Sequence, residues 1–386
     1  MQKLPTTPGQ SAAPPRLLLA LFALLLLCVP ATSRAADPKP LAIGSPAPDF
    51  DLPGVDGKNH KLADYKDAKL LCIIFTCNHC PTAQAYDERL KKLYADYKDK
   101  GVAIVAISPN DPQALRLDEL GYTEYSDSLD EMKLRAKDQG FEFPYLYDGE
   151  TQKVSLAYGA LATPHVFLFD ADRELRYHGR IDDSDVKEVK SHDLRNAIDA
   201  LLAGQPVLKE TTKIFGCSTK WSDKRGDVKK FMDKADAEPV SLETIDDAGI
   251  KVLVANSDSK KYRLINVWAT WCAPCIAEIP ELVEMNRMYR KRPFELITIT
   301  MDDMDRKDAA LGVLKEHHVS SKNFIYSGED KDKLVDSLDK QWEGPPPYTM
   351  LVAPGGKIIY RKLGPFDALE LKKTIVEHTG RTYASK

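Results

Sequence analysis

Four cysteines stand in two Cys-X-X-Cys pairs, Cys77-Asn78-His79-Cys80 and Cys272-Ala273-Pro274-Cys275. At a strand-to-helix turn, this spacing sets the first sulfur among the unpaired N–H groups of a helix N-terminus, where the positive dipole end stabilises a thiolate. Such a thiolate attacks a disulfide, and the second thiol, one helical turn on, resolves the mixed disulfide. Each pair is too close in sequence to staple a fold, and the chain is far poorer in cysteine than a small disulfide scaffold. Zinc is the competing use, since two such knuckles could supply four ligands. The two pairs, however, lie far apart, each in its own strand–helix surroundings. Haem attachment is excluded because Pro81 and Ile276 follow the second cysteines where a histidine is required. Cys77 and Cys272 are the expected nucleophiles, and Cys80 and Cys275 the resolving thiols. No metal and no organic cofactor is called for, because the cysteines carry both electrons.

Other residues border this chemistry. His79 precedes the second cysteine of its pair, and an imidazolium there favours the first thiolate, stabilises the reduced form and raises the potential. The plain alternative is an exposed loop histidine. Cys72 lies inside an apolar run and reads as a small buried hydrophobe. Cys217, in Phe215-Gly216-Cys217-Ser218-Thr219-Lys220-Trp221, is a candidate third redox cysteine reaching the Cys77 site, or an idle, partly exposed thiol.

The positioning elements are legible in the hydrophobic pattern. Leu70 to Phe75 is a continuous apolar run, as in a strand buried on both faces. Pro81 opens a helix that Gly101 ends, and Val102 to Ile107 reads as the next parallel strand. Val166 to Phe169 and Glu174 to Tyr177 form a hairpin, followed by a helix over Leu194 to Leu202. The second half repeats this order: strand Arg263–Trp268, helix Pro274–Tyr289, strand Phe294–Ile299, a hairpin around Pro354-Gly355-Gly356, and helix Leu369–His378. Superposing Cys77 on Cys272 also brings Cys80 onto Cys275 and Tyr94 onto Tyr289.

At 386 residues, two or three domains are expected. Hydrophobic content of 43% with 29% charged residues describes globular material, and a net charge of -4 leaves no footprint for nucleic acid. Nucleotide-binding glycine loops and His-Glu-X-X-His helices are absent from the sequence. At the N-terminus, Lys3 and Arg16 precede an apolar run from Leu17 to Val29, and Ser33-Arg34-Ala35 offers a small-X-small cleavage pattern. The run is shorter than the ~20 residues that span a bilayer. A signal peptide over 1–36 and a periplasmic or secreted mature chain are expected, with an uncleaved anchor as the alternative. Cys28 leaves with the signal, since Leu27 occupies the place where a lipobox wants a small residue.

Ala269-Thr270-Trp271-Cys272-Ala273-Pro274-Cys275, Ile276 to Pro280 and Gly344 to Thr349 resemble the TlpA/ResA-like thioredoxins. The resemblance implies a cis-proline beside the dithiol, at Pro347 or next best at Pro346, and a proton-transfer role for Glu278. Asn266 stands where cytoplasmic thioredoxins often carry a buried acid, which leaves Glu278 as the acid/base. Ile43 to Phe50 and Phe75-Thr76-Cys77-Asn78-His79-Cys80-Pro81-Thr82 resemble the redoxin (AhpC/TSA, peroxiredoxin-like) branch, with Thr163-Pro164 in the cis-proline slot and His165 beside it. True peroxiredoxins use Pro-X-X-X-Thr-X-X-Cys, whereas here Thr76 is displaced by one residue and Ile73 replaces the proline. Copper-delivering Sco-type proteins are a third relative, but they space their cysteines by three residues.

Together these imply an α/β chain of two tandem thioredoxin folds, each a central mixed β-sheet flanked by helices. The expected limits are 39–203 for the redoxin-like domain, 204–239 for a Lys/Asp-rich linker carrying Cys217 with one short helix, and 240–386 for the TlpA/ResA-like domain. The expected function is exported thiol–disulfide exchange, with protein thiols and disulfides as partners and an upstream membrane or periplasmic thiol reductant. One rival is a peroxide-reducing first domain fused to its own reductant. The other is a metal-delivering or redox-inert binding module.

Overall fold

Two mixed β-sheets organise residues 38–383, the part of the chain that the computed structural model describes. The expected signal peptide, with Cys28, lies outside the described residues. Among those described, no helix is long and apolar enough to cross a membrane.

The first half begins with a hairpin of β1 (Asp51–Pro53) and β2 (Asn59–Lys61). It continues through β3 (Leu70–Phe75), α1 (Pro81–Ala85), α2 (Asp87–Tyr97), β4 (Val102–Ser108), α3 (Leu129–Gln139) and β5 (Tyr145–Tyr147). Then come α4 (Lys153–Tyr158), β6 (Ala162–Thr163), β7 (His165–Phe169), β8 (Leu175–Gly179) and α5 (Asp193–Leu202). Sheet order is β5-β4-β3-β7-β8, with β3, β4 and β5 parallel and β7 and β8 antiparallel. The apolar run of β3 is explained by its central place: Leu70, Cys72 and Ile74 enter one core with α2 and α5, while Leu71, Ile73 and Phe75 enter the other with Val154 and Tyr158 of α4. This is the two-residue alternation of a strand, with both faces covered.

Beyond α5 come β9 (Cys217–Ser218) and α6 (Arg225–Asp236). The second half then runs β10 (Glu243–Ile245), α7 (Asp247–Ala255), β11 (Tyr262–Trp268), α8 (Ala273–Tyr289), β12 (Phe294–Thr300) and α9 (Lys307–Glu316). It closes with β13 (Lys322–Tyr326), α10 (Lys331–Leu338), β14 (Tyr348–Val352), β15 (Ile358–Leu363) and α11 (Ala368–Thr379). Its sheet, β10-β13-β12-β11-β14-β15, repeats the first with one added edge strand. Each half is therefore a central mixed sheet flanked by helices, the architecture expected of it.

Two differences from the expected layout matter for function. The helix after Cys80 is broken at Tyr86 into α1 and α2, whereas α8 is continuous despite Pro280. The segment 204–239 is more than a tether. Val207 and Phe215 pack on the first core, and β9 pairs antiparallel with β6. Further on, Arg287 and Arg290 of the second half pair with Asp236 at 2.6 Å and Glu238 at 2.7 Å.

The halves also meet directly. Leu115 and Leu120 of the first half join Leu282, Met285, Met288 and Tyr289 of α8 in one core cluster, and the Tyr289 hydroxyl donates to the Thr123 carbonyl at 3.1 Å. These contacts lie on the C-terminal half of α8. The Cys272/Cys275 pair lies at the other end of this 17-residue helix, with Cys272 about 15 Å from Leu282 and about 25 Å from Tyr289 along the axis at the α-helical rise.

Candidate active site

The first pair is built at the end of β3. Cys80 is the N-cap of α1, and Pro81 takes the first helical position, where its missing N–H loses no bond. The Ala83 N–H donates to Cys80 Sγ at 3.4 Å; as a thiol, Cys80 donates to the Thr163 carbonyl at 3.3 Å. Cys77 Sγ lies 3.1 Å from Thr163 Oγ1 and 3.5 Å from His79 Nδ1. The Thr163-Pro164 bond is cis, so Pro164 directly follows the residue that both sulfurs touch. Cys77 is 3% exposed and Cys80 is fully buried.

The two residues between the cysteines are held by one distant carboxylate. Asp127 Oδ1 accepts from the backbone N–H groups of Asn78 at 2.8 Å and His79 at 3.0 Å. Its Oδ2 pairs with His79 Nδ1 at 2.6 Å and accepts from Asn110 Nδ2 at 2.7 Å. The Asn78 side chain is fixed by the Ser126 carbonyl and the Tyr145 hydroxyl. Burial works against a charged His79, but the Asp127 carboxylate overcomes it and raises the histidine's pKa. Burial likewise works against Asp127, and the His79 charge with its hydrogen bonds holds the carboxyl below its ordinary value. His79 is therefore a buried, ion-paired neighbour of the dithiol, not an exposed loop residue.

The network acts differently on the two sulfurs. The Cys77 thiol is pushed up by burial, by hydrogen bonding to Cys80 and by the negative charge of Asp127. Burial also opposes ionisation of Cys80, but hydrogen bonds from the Cys217 and Cys77 thiols, the His79 charge and the Ala83 N–H outweigh it and hold Cys80 well below the thiol range. His79 is paired with Asp127, whose negative charge opposes ionisation of Cys77, while the His79 charge favours ionisation of Cys80.

Cys217 packs against Cys77, Cys80 and Ala83. Its thiol is half-buried, and its pKa is pushed up first by the neighbouring Cys80 and then by burial. Cys72 is fully buried in β3, and burial pushes its thiol up. His165 is buried in β7 against Phe167 and His178, with its pKa lowered by burial to about 3.

In the second half, Cys272 caps α8 and Cys275 lies one turn inside it, the two joined in a disulfide with Cα atoms 5.3 Å apart. The loop before them is tied by Asp302, which accepts from the Thr270 N–H at 2.9 Å and the Thr270 hydroxyl at 2.7 Å. Trp271 is 61% exposed beside Cys272. The Pro346-Pro347 bond is cis, which fits Pro347 ahead of Pro346. Asn266, central in β11, donates to Glu278 Oε1 at 2.8 Å and to Thr349 Oγ1 at 3.0 Å, linking the helix to the strand that follows Pro347. Glu278 is buried one turn beyond Cys275, and its second carboxyl oxygen has no hydrogen-bond partner among the described residues. Burial raises its pKa to about 7 against the opposing bonds from Asn266 and the Phe366 N–H.

Asp127 went unread in the sequence. It lies 48 residues from His79 and just before the Ser128 N-cap of α3, so locally it resembles any helix-leading acid.

The chain matches the AhpC/TSA family over residues 43–178 and the Redoxin family over residues 228–375. The thiol-disulfide oxidoreductase ResA of Geobacillus thermodenitrificans is 27% identical over 150 residues, covering 38% of this chain and 76% of that one. A Mycobacterium tuberculosis protein named as a peroxiredoxin is 30% identical over 129 residues, covering 33% and 69%. Among solved structures, a hypothetical protein from Sinorhizobium meliloti 1021 has 38% identity, covering 48% of this chain and 97% of that one, with a TM-score of 0.43.

Proposed function

We propose that this chain, which belongs to the thioredoxin superfamily in both of its halves, is a thiol–disulfide oxidoreductase with two separate dithiol sites acting on protein disulfides. One observation carries the reading: each half sets a Cys-X-X-Cys pair at a helix N-terminus with a cis-proline peptide in the same half, and no other group is needed to move two electrons. The ResA relative supports the same class of reaction.

At each site a thiolate attacks a substrate disulfide, forming a mixed disulfide and expelling a substrate thiolate. The second cysteine then attacks the mixed disulfide, which releases the substrate as a dithiol and leaves the site as a disulfide. In the second site Cys272 is the attacking sulfur and Cys275 resolves, with Glu278 as the acid/base for Cys275. In the first site, Cys80 carries the thiolate and Cys77 is its partner, with His79 and Asp127 positioning the turn. Pro164 and Pro347 shape access.

The domain limits proposed are 39–203 and 240–386, with 204–239 carrying Cys217 between them. Action outside the cytoplasm, with an upstream thiol reductant restoring the dithiols, is supported by the signal-like Leu17–Val29 run. A second reading, thiol peroxidase in the first half, rests on the AhpC/TSA match and the stabilised Cys80 thiolate at a helix N-cap. There Cys80 would reduce peroxide to water, become a sulfenate and be resolved by Cys77.

Insulin disulfide reduction by the dithiol-reduced chain tests the first reading. Activity is expected, and full activity in Cys272→Ser would remove the second site from it. Steady turnover of hydrogen peroxide that requires Cys80 would favour the second reading for the first half.

A further inference from the structure

We propose that Cys217 is a third redox-active cysteine, the accessible sulfur through which disulfides reach the buried Cys77/Cys80 pair by way of a Cys80–Cys217 disulfide. The inference rests on reading Cys77/Cys80 as a redox-active dithiol.

The backbone places Cys217 deliberately. Strand β9 pairs with β6 so that Cys217 lies directly opposite Thr163, the residue contacted by both Cys77 Sγ and Cys80 Sγ. The approach is close enough to demand glycine at the preceding position. A Cβ on Gly216, at φ 145°, would stand 2.1 Å from the Thr163 oxygen. Downstream, the Thr219 N–H donates to the Leu161 carbonyl at 3.2 Å, the Thr219 hydroxyl to the Ala160 carbonyl at 2.8 Å and the Lys220 N–H to Asn110 Oδ1 at 2.8 Å. Asn110 also holds Asp127, so the strap carrying Cys217 and the carboxylate under His79 share one anchor. An idle thiol needs none of this. Cys217 is thus presented to the dithiol as a bound peptide thiol would be, and it is the least buried sulfur of the three.

The exchange balances without an outside oxidant or reductant beyond the substrate disulfide. Cys217 passes its proton to Cys80, attacks the substrate disulfide and expels one substrate thiolate. Cys80 then attacks Cys217 Sγ, releasing the second substrate thiolate and forming Cys80–Cys217. Finally Cys77 attacks Cys80 Sγ, which breaks Cys80–Cys217, forms Cys77–Cys80 and returns Cys217 to a thiol. Two electrons leave the Cys77/Cys80 pair; of the two thiol protons present at the start, one ends on Cys217 and one on a substrate thiol, and the second substrate thiolate takes its proton from solvent.

The test uses the full chain in a Cys272→Ser/Cys275→Ser background, with glutathione disulfide as the probe and disulfide mapping by mass spectrometry. Adding Cys77→Ser is expected to trap a Cys80–Cys217 disulfide in most monomers. Adding Cys217→Ser, or Cys217→Ala as a second variant, is expected to slow formation of Cys77–Cys80 by about tenfold or more while leaving its equilibrium yield intact. Independent alkylation of Cys80 and Cys217 in the Cys77→Ser chain, or an unchanged rate in both Cys217 variants, overturns the gateway and leaves the dithiol reading standing. Failure of Cys77–Cys80 to form in the background chain itself would overturn both.

Discussion

The two dithiols occupy the same place in the same fold and are surrounded by opposite chemistry. Around Cys77/Cys80 the protein has built a polar cage: a buried His79–Asp127 ion pair, Asn78, Asn110 and a third thiol. Around Cys272/Cys275 it has built an apolar setting of Trp268, Ala269, Ile279 and Val283, with one uncompensated carboxyl, Glu278, close behind. The first setting favours a thiolate by surrounding it with donors. The second leaves ionisation to the helix terminus beside a carboxyl that burial raises to about 7, the group proposed to transfer the proton. The two settings predict dithiols of different potential, with the cage around the first turn as the expected cause.

The largest effect is expected from removing a nucleophile. Cys272→Ser is expected to lower second-site insulin reduction by about a hundredfold or more while the free-thiol count at Cys77, Cys80 and Cys217 is unchanged. An equal loss at both sites would mean that the two are not separate.

Next comes the cage itself. Asp127→Asn leaves His79 buried without its counter-charge and is expected to destabilise the chain by about 3–5 kcal/mol, read by denaturant unfolding. The pair also sets a pH window. Asp127, with its lowered folded pKa, stabilises above its unfolded value and loses that as pH falls through the folded value. His79, with its raised folded pKa, stabilises below its unfolded value and loses that as pH rises through the folded one. Asp127→Asn is expected to flatten both limbs of the stability–pH curve.

The sequence made part of this contrast readable and hid the rest. Both dithiols and the strand–helix turns could be located because they are local patterns (an apolar run, a spaced pair of cysteines, a proline at a helix start), and the cis-prolines followed only from the family resemblance. The cage could not. Asp127 reaches His79 only because the loop after β4 folds back over the turn, and nothing near Ser126-Asp127-Ser128 marks it apart from a helix cap. Gly216-Cys217 was visible as a motif, but its pairing with Ala162-Thr163 depends on tertiary return of the chain. The break at Tyr86 was equally hidden, since α1 and α2 together read as one amphipathic stretch.

A smaller effect is expected at Glu278. As its carboxyl ionises near pH 7, exchange at the second site is expected to accelerate, and Glu278→Gln is expected to remove that inflection and slow the rate above pH 7 by about tenfold. The first site, which has no such carboxyl acid/base, is expected to keep its own pH profile in this variant. The smallest is expected for His79→Ala. Because Asp127 already neutralises the imidazolium, the first potential is expected to fall by about 30 mV, a tenfold change in equilibrium constant.

The contrast also bears on electron flow. A higher potential at Cys77/Cys80 would let electrons run to it from Cys272/Cys275. The halves meet on the C-terminal half of α8, away from the cysteines at its start, and again after α11, where Arg381 pairs with Glu124 and the Tyr383 ring packs on Tyr122. Transfer carried by a second molecule is expected to show as a rate that rises with protein concentration.

The most direct measurement is a redox titration of the full chain against a thiol–disulfide buffer, with the alkylation state of each cysteine read by mass spectrometry. Both pairs are expected to titrate as two-electron couples, with Cys77/Cys80 the more oxidising. A pair that does not titrate, or a first pair more reducing than Cys272/Cys275, would contradict the claim that the cage around His79 and Asp127 separates two working dithiols.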